Sequence, residues 1–170
     1  GSSMGTRLSG GVTEGRCALQ RQIGMIRCGR GGKVEFSAVK RLALSHGLDI
    51  FQPESLKGST IQDTLGSLDL DLIIVMAYGQ ILPQNVLDLP KYGALNIHAS
   101  ILPRHRGAAP IQWAIIEGDN ETGVSLMKMD AGLDTGGVLS TMTTPIEDAD
   151  SAIDLTNRIS HPMHNTICMK

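Results

Sequence analysis

The longest apolar segment of the chain covers residues 72–78 and is seven residues long. A membrane-spanning helix needs about 20 apolar residues, so this segment is too short to cross a bilayer. The near-continuous aliphatic stretch at residues 71–77 is instead typical of a β-strand that is buried on both faces of a parallel sheet. The chain is therefore expected to build its core around a sheet that helices cover on both sides.

Helical and extended patterns alternate along the rest of residues 34–160. Apolar spacing and Gly or Pro punctuation predict helices at 37–46, 55–65, 83–89, 108–117 and 151–159. Strands are predicted at 49–52, 71–77, 94–98, 124–129 and 138–143. This alternation indicates βαβ units, and it predicts an α/β fold with an open, mostly parallel, twisted sheet of the Rossmann type.

Composition narrows the class of protein further. Hydrophobic residues make up 41% of the chain and charged residues 19%, which excludes disorder over most of its length. A net charge of −2 argues against a protein that coats nucleic acid by charge alone. The cysteines, Cys17, Cys28 and Cys168, form no CxxC pattern, so they exclude a disulfide scaffold and predict a reducing, cytoplasmic compartment.

The first 33 residues differ in composition from those that follow. They contain nine of the 20 glycines, and six basic residues against one acidic residue. We interpret residues 1–33 as a basic, glycine-rich arm or a vector-derived segment. Residues 34–160 then form one α/β domain, and residues 161–170 form a tail that matches no pattern.

Nucleotide-binding and metal-binding patterns are not met. A Walker phosphate loop at residues 29–33 would need Gly in place of Arg27 and Ser or Thr in place of Val34. His161 and His164 with Cys168 could be drawn as a metal site, but Pro162 is expected to break the helix that would align the two imidazoles. We therefore predict chemistry without a metal.

Two polar side chains mark the end of the strand predicted at 94–98. Asn96 and His98 are two residues apart, so both leave the same face of the strand. Ligands of open α/β sheets bind beyond the carboxyl ends of strands. A carboxamide there can donate to a developing oxyanion, and an imidazole can transfer a proton or stabilise charge. The pair predicts a catalytic site.

A glycine-rich acidic loop at residues 129–137 is the third candidate element. Its glycines suit backbone with positive φ, and either Asp130 or Asp134 could face His98 and favour its charged form. An acyl-ester hydrolase that uses Ser100, His98 and Asp134 is a rival interpretation. Ser100 follows His98 by two residues, so its hydroxyl could approach the imidazole only if the backbone bends at Ala99. No nucleophile-elbow motif supports this interpretation.

Three segments resemble the methionyl-tRNA formyltransferase family. The first is Asn96-Ile-His98-Ala-Ser100-Ile-Leu-Pro103, which continues as Arg104-His-Arg106-Gly-Ala-Ala-Pro-Ile-Gln112. The others are Ala77-Tyr-Gly-Gln-Ile-Leu-Pro83 and Met129-Asp-Ala-Gly-Leu-Asp-Thr-Gly136. The similarity runs from about residue 29 to about residue 159, so residues 34–160 are identified as a formyltransferase-like catalytic domain.

The resemblance implies the chemistry of the site. Asn96, His98 and Asp134 correspond to the family's catalytic trio, with 10-formyltetrahydrofolate as formyl donor and the α-amine of initiator methionyl-tRNA as acceptor. The pteridine-binding wall corresponds to six residues: Tyr78, Gly79, Gln80, Ile81, Leu82 and Pro83. Supporting or tRNA-contacting positions are Ser100, Arg104, Arg106, Arg30 and Lys33.

The chain departs from the family pattern at both ends. Residues 1–28 lack the family's first hydrophobic strand, turn and helix, and residues 161–170 do not resemble its C-terminal tRNA-holding domain. We expect impaired formyl transfer, and a homodimer through the sheet edge that the missing βα unit exposes. Formyl transfer to another amine, formyl-folate hydrolysis and a non-catalytic folate-binding remnant stay open as alternatives.

Overall fold

The structure is a computed structural model that describes the backbone of residues 17–19, 25–28 and 33–167 and the side chains of residues 36–160. The strands are β1 (Cys17–Leu19), β2 (Met25–Cys28), β3 (Lys33–Phe36), β4 (Asp49–Phe51), β5 (Ile73–Met76), β6 (Ala94–His98), β7 (Glu121–Lys128) and β8 (Val138–Pro145). The helices are α1 (Ala38–Ser45), α2 (Ser59–Gly66), α3 (Gln84–Leu87), α4 (Pro110–Ile116) and α5 (Ala152–Ile167). Each helix and strand predicted over residues 34–160 has a counterpart.

The central sheet is open and mixed. It has four strands in the order β5-β6-β7-β8, and the described strands outside it form two pairs, β1 with β4 and β2 with β3. The α/β open-sheet prediction is confirmed, but the expectation of mostly parallel strands is wrong for this sheet. Only β5 and β6 run parallel in it, whereas β7 is antiparallel to both β6 and β8. The β7–β8 connection contains no helix in the described chain, and antiparallel strands need no helical crossover.

Two apolar clusters cover the two faces of the central sheet. Ala94 of β6 lies in the first cluster, together with Leu56, Leu65, Leu82, Val86 and Leu87 from α2, α3 and the adjoining loops. The pairing of Ile97 with Leu126 places Val124 on the opposite face, because alternate strand residues share a face. There Val124 packs with Ile111 of α4 and with Leu155 and Ile159 of α5. The prediction of helices on both faces therefore holds for this sheet.

Strand β5 departs from the prediction of burial on both faces. Its residues alternate between half-buried and exposed, and the side chains of Ile74 and Met76 are 51% and 55% exposed. β5 is the outer strand of the central sheet, and no described strand pairs with its other edge. Residues 17–19 pair with β4 and residues 25–28 with β3, so neither segment covers that edge. An aliphatic sequence alone does not reveal that, in the described part of the chain, one face of β5 stays exposed.

Helix α5 is longer than predicted. It begins at Ala152 and continues through Pro162 to Ile167, so the expectation that Pro162 breaks the helix is wrong. The buried Leu155 and Ile159 anchor the helix before the proline, which removes one backbone donor. No helix in the described ranges is long and apolar enough to span a membrane.

Candidate active site

The carboxyl ends of β5 and β6 lie side by side, and the candidate site is located beside them. Met76 pairs with Ile97, so the chain that follows Met76 leaves the sheet beside His98. Asn96 and His98 are 9% and 7% exposed, and both leave the same face of β6. Ala77 and Gly79 have positive φ values of 48° and 72°, which turn the chain away after β5. The site therefore lies where open α/β sheets bind ligands.

The loop that follows β6 is fixed by buried hydroxyl groups. Ser100 is fully buried, and its Oγ donates to the backbone oxygen of Arg104 at 2.6 Å. The Ser125 hydroxyl accepts from the Leu102 N–H at 3.1 Å and donates to the Ser100 backbone oxygen at 2.8 Å. These bonds tie the loop to β7, so the backbone around His98 has little freedom to shift.

Asp134 reaches this site from the loop between β7 and β8. Its Oδ1 accepts from Asn96 Nδ2 at 3.0 Å, and its Oδ2 accepts from the Gly107 N–H at 2.9 Å. Oδ2 also lies 3.6 Å from His98 Nδ1. The structure thus brings together the three residues that the sequence analysis selected. The Asn96 amide has a second N–H, which is available to a ligand in addition to Asp134.

Asp130 has a different role from Asp134, a distinction that the sequence analysis left open. Asp130 is exposed, and its Oδ1 accepts from the Gly132 N–H at 2.9 Å and from the Thr135 hydroxyl at 2.7 Å. The Thr135 hydrogen bond is the main reason that the pKa of Asp130 lies below its usual value, and the Gly132 N–H adds to the effect. Asp130 therefore shapes the loop, while Asp134 faces the imidazole.

Gly136 makes the return of this loop possible. A Cβ at Gly136 would overlap the backbone carbonyl oxygen of Lys128, whereas a Cβ at the neighbouring Gly137 meets nothing within 4 Å. We expect Gly136→Ala to lower the free energy of unfolding by about 1–3 kcal/mol, the usual cost of overpacking, and to displace Asp134. Gly137→Ala is the matched control, and chemical denaturation measures both. Equal stability of the two variants would contradict this packing argument.

The segment proposed as a pteridine wall divides into buried and exposed parts. Leu82 is 2% exposed and packs in the first apolar cluster, while Tyr78 is half-buried against the same cluster. Ile81 is 64% exposed. The Leu82 side chain thus supports the turn from inside, while the Ile81 side chain is open to solvent. Gly79, Gln80 and Pro83 lie in this same turn before α3.

The supporting residues of the sequence analysis fall into three groups. Ser100 is buried and donates its hydroxyl proton to a backbone oxygen, so it cannot act as an exposed nucleophile, and the hydrolase interpretation loses its support. Arg106 is exposed beside the site, and Arg104 pairs with carboxylates. Lys33 begins β3, and Arg30 lies outside the described residues.

A charged cluster beside the site escaped the sequence analysis. Arg104 donates to both Asp119 and Glu117, and His105 Nε2 lies 2.6 Å from Asp119 Oδ2. Hydrogen bonds from Arg104 first, and then from His105, lower the pKa of Asp119 to about 2. His105, Glu117 and Asp119 have the donor types of a metal site, but Arg104 already neutralises both carboxylates. The 14-residue separation of His105 and Asp119 left no local sequence signal.

Comparison with known proteins shows the family of the chain. The Formyl transferase family matches residues 26–169. A methionyl-tRNA formyltransferase from Hydrogenovibrio crunogenus is 58% identical over 132 residues, which are 78% of this chain and 42% of that protein. The corresponding protein of Thiobacillus denitrificans is 55% identical, with 78% and 43% covered. The chain spans about two fifths of the length of these curated relatives.

Solved structures share the fold. A glycinamide ribonucleotide transformylase 1 from Geobacillus kaustophilus has a TM-score of 0.69 and 27% identity, covering 87% of this chain and 77% of that one. A phosphoribosylglycinamide formyltransferase from Bacillus halodurans has a TM-score of 0.69 and 24% identity, covering 76% and 70%. The second likeness concerns the fold alone, because its sequence identity is low.

Proposed function

We propose formyl transfer as the reaction of this chain, because the chain belongs to the formyl transferase family. The donor is 10-formyltetrahydrofolate, and the acceptor is the α-amine of initiator methionyl-tRNA. The observation that carries the proposal is the contact of Asp134 with both Asn96 and His98 at the carboxyl end of β6. Such a group of amide, imidazole and carboxylate suits the transfer of an acyl group to an amine without a covalent enzyme intermediate.

Each residue of the trio has a distinct task in this proposal. When bound, the donor supplies the formyl carbon, whose bond to the folate nitrogen breaks as the bond to the acceptor amine forms. The second N–H of Asn96 stabilises the negative charge that develops on the formyl oxygen. His98, when protonated on both nitrogens, adds positive charge at the same place. Asp134 accepts a proton from the attacking amine, directly or through one water, and this proton ends on the folate nitrogen as that nitrogen leaves.

The donor fits the backbone next to the trio. The turn after β5 starts beside His98, and Ile81 is exposed in it, so we propose this turn as the surface that binds the pteridine. The buried Leu82 and the half-buried Tyr78 keep this turn attached to the core. The proposed donor site is therefore pre-formed rather than assembled on binding.

The acceptor is supported by the relatives and by charge near the trio. Both relatives described above are named methionyl-tRNA formyltransferases. Arg106 is exposed and follows the loop of the site, so we propose it as a phosphate contact. Arg104 is a poorer candidate, because Asp119 and Glu117 already hold its guanidinium. We include a cytoplasmic location in the proposal, because the three cysteines form no CxxC pattern.

A transfer assay tests the proposal and its alternatives together. Donor labelled on the formyl carbon is incubated with the chain and methionyl-tRNA, and the label is followed on methionine, as free formate and on other amines. Label on methionine supports the proposal. Label on an amino sugar but not on methionine would assign another acceptor, and label only as formate would indicate donor hydrolysis. Donor binding without any release of label would identify a non-catalytic binding domain.

We also propose that two chains associate through the outer edge of β5. That edge has no partner among the described strands, and Ile74 and Met76 are exposed beside it. A two-fold axis beside Ile74 would pair the two β5 strands in antiparallel fashion, with Ile74 opposite its own copy and each Leu72 opposite the other copy's Met76. No like charges meet in this register, and the exposed apolar side chains become covered.

The dimer is expected to have a mass near twice the 18.1 kDa of one chain at micromolar concentration. Size-exclusion chromatography with light scattering measures this mass. Ile74→Lys is expected to give the monomer, since the two introduced ammonium groups would lie directly opposite each other across the paired strands. Leu139→Lys, at an exposed position on β8 at the opposite edge of the sheet, is the control and keeps the dimer. A wild-type monomer of 18.1 kDa would refute the association.

A further inference from the structure

We infer that His105 is a positioning residue, whose backbone carbonyl selects the protonated nitrogen and the orientation of the His98 imidazole. His98 Nε2 lies 2.9 Å from the backbone oxygen of His105. A carbonyl oxygen only accepts hydrogen bonds, so Nε2 must carry a hydrogen here. In the neutral ring this leaves Nδ1 unprotonated and turned towards Asp134 Oδ2, at 3.6 Å. The catalytic consequence rests on the proposed formyl transfer, whereas the ring geometry does not.

The position of this carbonyl depends on an unfavourable backbone conformation. His105 has a φ of 55°, in the left-handed region that residues with a Cβ rarely adopt. Such a conformation persists only where the surroundings enforce it. One constraint comes from the preceding peptide, because Ser100 Oγ donates to the Arg104 oxygen at 2.6 Å.

The imidazole of His105 supplies the second constraint. It is 8% exposed, and its Nε2 lies 2.6 Å from Asp119 Oδ2. Asp119 is held in turn by Arg104 Nε at 2.8 Å, and its own N–H donates to the Ala114 oxygen of α4 at 3.0 Å. The side chain of His105 therefore anchors its backbone to the end of α4, and the carbonyl of the same residue holds His98. This chain of contacts joins α4 to the proposed site.

Nitrogen NMR of the ¹⁵N-labelled chain tests the inference without any activity. Long-range ¹H–¹⁵N spectra distinguish the Nε2–H and Nδ1–H tautomers of His98, at a pH where the ring is neutral. We expect wild type to hold the Nε2–H form. His105→Gly and His105→Asn tolerate positive φ but cannot reach Asp119, so the ratio of Nε2–H to Nδ1–H is expected to fall about fivefold. That factor corresponds to the loss of one hydrogen bond worth about 1 kcal/mol.

Two further variants separate positioning from general damage. His105→Gln keeps a side-chain donor for Asp119 and is expected to retain most of the wild-type tautomer ratio. Glu117→Ala removes a carboxylate from the same cluster but leaves the His105–Asp119 contact, so the ratio should not change. An unchanged ratio in both His105→Gly and His105→Asn would overturn the inference. The inference would also be overturned if Glu117→Ala lowered the tautomer ratio of His98 as much as His105→Gly does.

Kinetics then connect the geometry to the proposed reaction. We expect His105→Gly to lower kcat about 10- to 100-fold with little change in KM for the donor, because a misoriented imidazole affects the reacting atoms rather than donor binding. His105→Gln should restore most of kcat. If wild type transfers no formyl group, the proposed function fails while the tautomer measurement still decides the role of His105. A changed KM with unchanged kcat would reject positioning of the catalytic ring.

Discussion

The kcat of formyl transfer is expected to fall about 10²- to 10⁴-fold when Asp134 is replaced by Asn. This is the range typical of losing a positioned acid–base group. The substituted amide keeps the size of the side chain but cannot accept a proton. Because Asp134 accepts from both Asn96 and the Gly107 N–H, the loss also disturbs the orientation of the amide that faces the formyl oxygen. Steady-state kinetics with saturating donor measure the change in kcat.

The matched control for this variant lies four residues earlier in the same loop. Asp130→Asn removes a carboxylate that accepts hydrogen bonds from Gly132 and Thr135 rather than from the trio, so its effect on kcat should be only a few-fold. His98→Ala is expected to lose as much activity as Asp134→Asn, and the double variant should lose little more, since residues that act as a unit are not additive. If Asp130→Asn and Asp134→Asn lowered kcat equally, the different roles assigned to the two carboxylates would be rejected.

A second large effect is expected on the use of methionyl-tRNA as the acceptor. We expect the kcat/KM of this chain for methionyl-tRNA to be at least about 100-fold below that of the Hydrogenovibrio crunogenus relative, of which the chain covers 42%. Binding energy far from the reacting atoms normally positions a large acceptor, so its loss lowers kcat as well as raising KM. A net charge of −2 also provides little long-range attraction for RNA.

Parallel assays of the two proteins over a range of salt concentrations check this expectation. The longer relative should lose activity steeply as salt rises, whereas this chain should show a shallow slope, because it neutralises few phosphates. Adding Arg106→Ala should flatten the slope further if Arg106 contacts a phosphate. Turnover of methionyl-tRNA by the chain at about 1–10³ s⁻¹, the ordinary range for enzymes, would contradict the expectation.

Local sequence patterns predicted the elements of the domain well. Helix α1 begins at Ala38 with Ser37 as its N-cap and is followed by Gly47 with a φ of 65°, as the spacing of apolar residues and the glycine indicated. Strand β6 has the bounds that were expected, Ala94–His98. These features depend on neighbouring residues, which is why they can be predicted without knowledge of distant contacts.

The direction of the strands and the covering of β5 could not be predicted in this way. An aliphatic run indicates a strand, but whether its two faces and its second edge are covered depends on segments far along the chain. The sequence of β5 therefore suggested burial on both faces, while Ile74 and Met76 are exposed. Likewise, the antiparallel pairing of β7 with β6 is a property of the sheet and leaves no local pattern.

The candidate site also has features that local sequence patterns predict and features that depend on tertiary contacts. Alternation along a strand is a local rule, so the sequence alone predicts that Asn96 and His98 share a face at the end of β6. Only the tertiary structure decided that Asp134, 38 residues after Asn96, and not Asp130, meets this pair. It also decided that the carbonyl of His105, anchored through Asp119, holds the imidazole. These contacts arise from the packing of loops that are separate in sequence, and their geometry exists only once β6, β7, β8 and α4 are assembled.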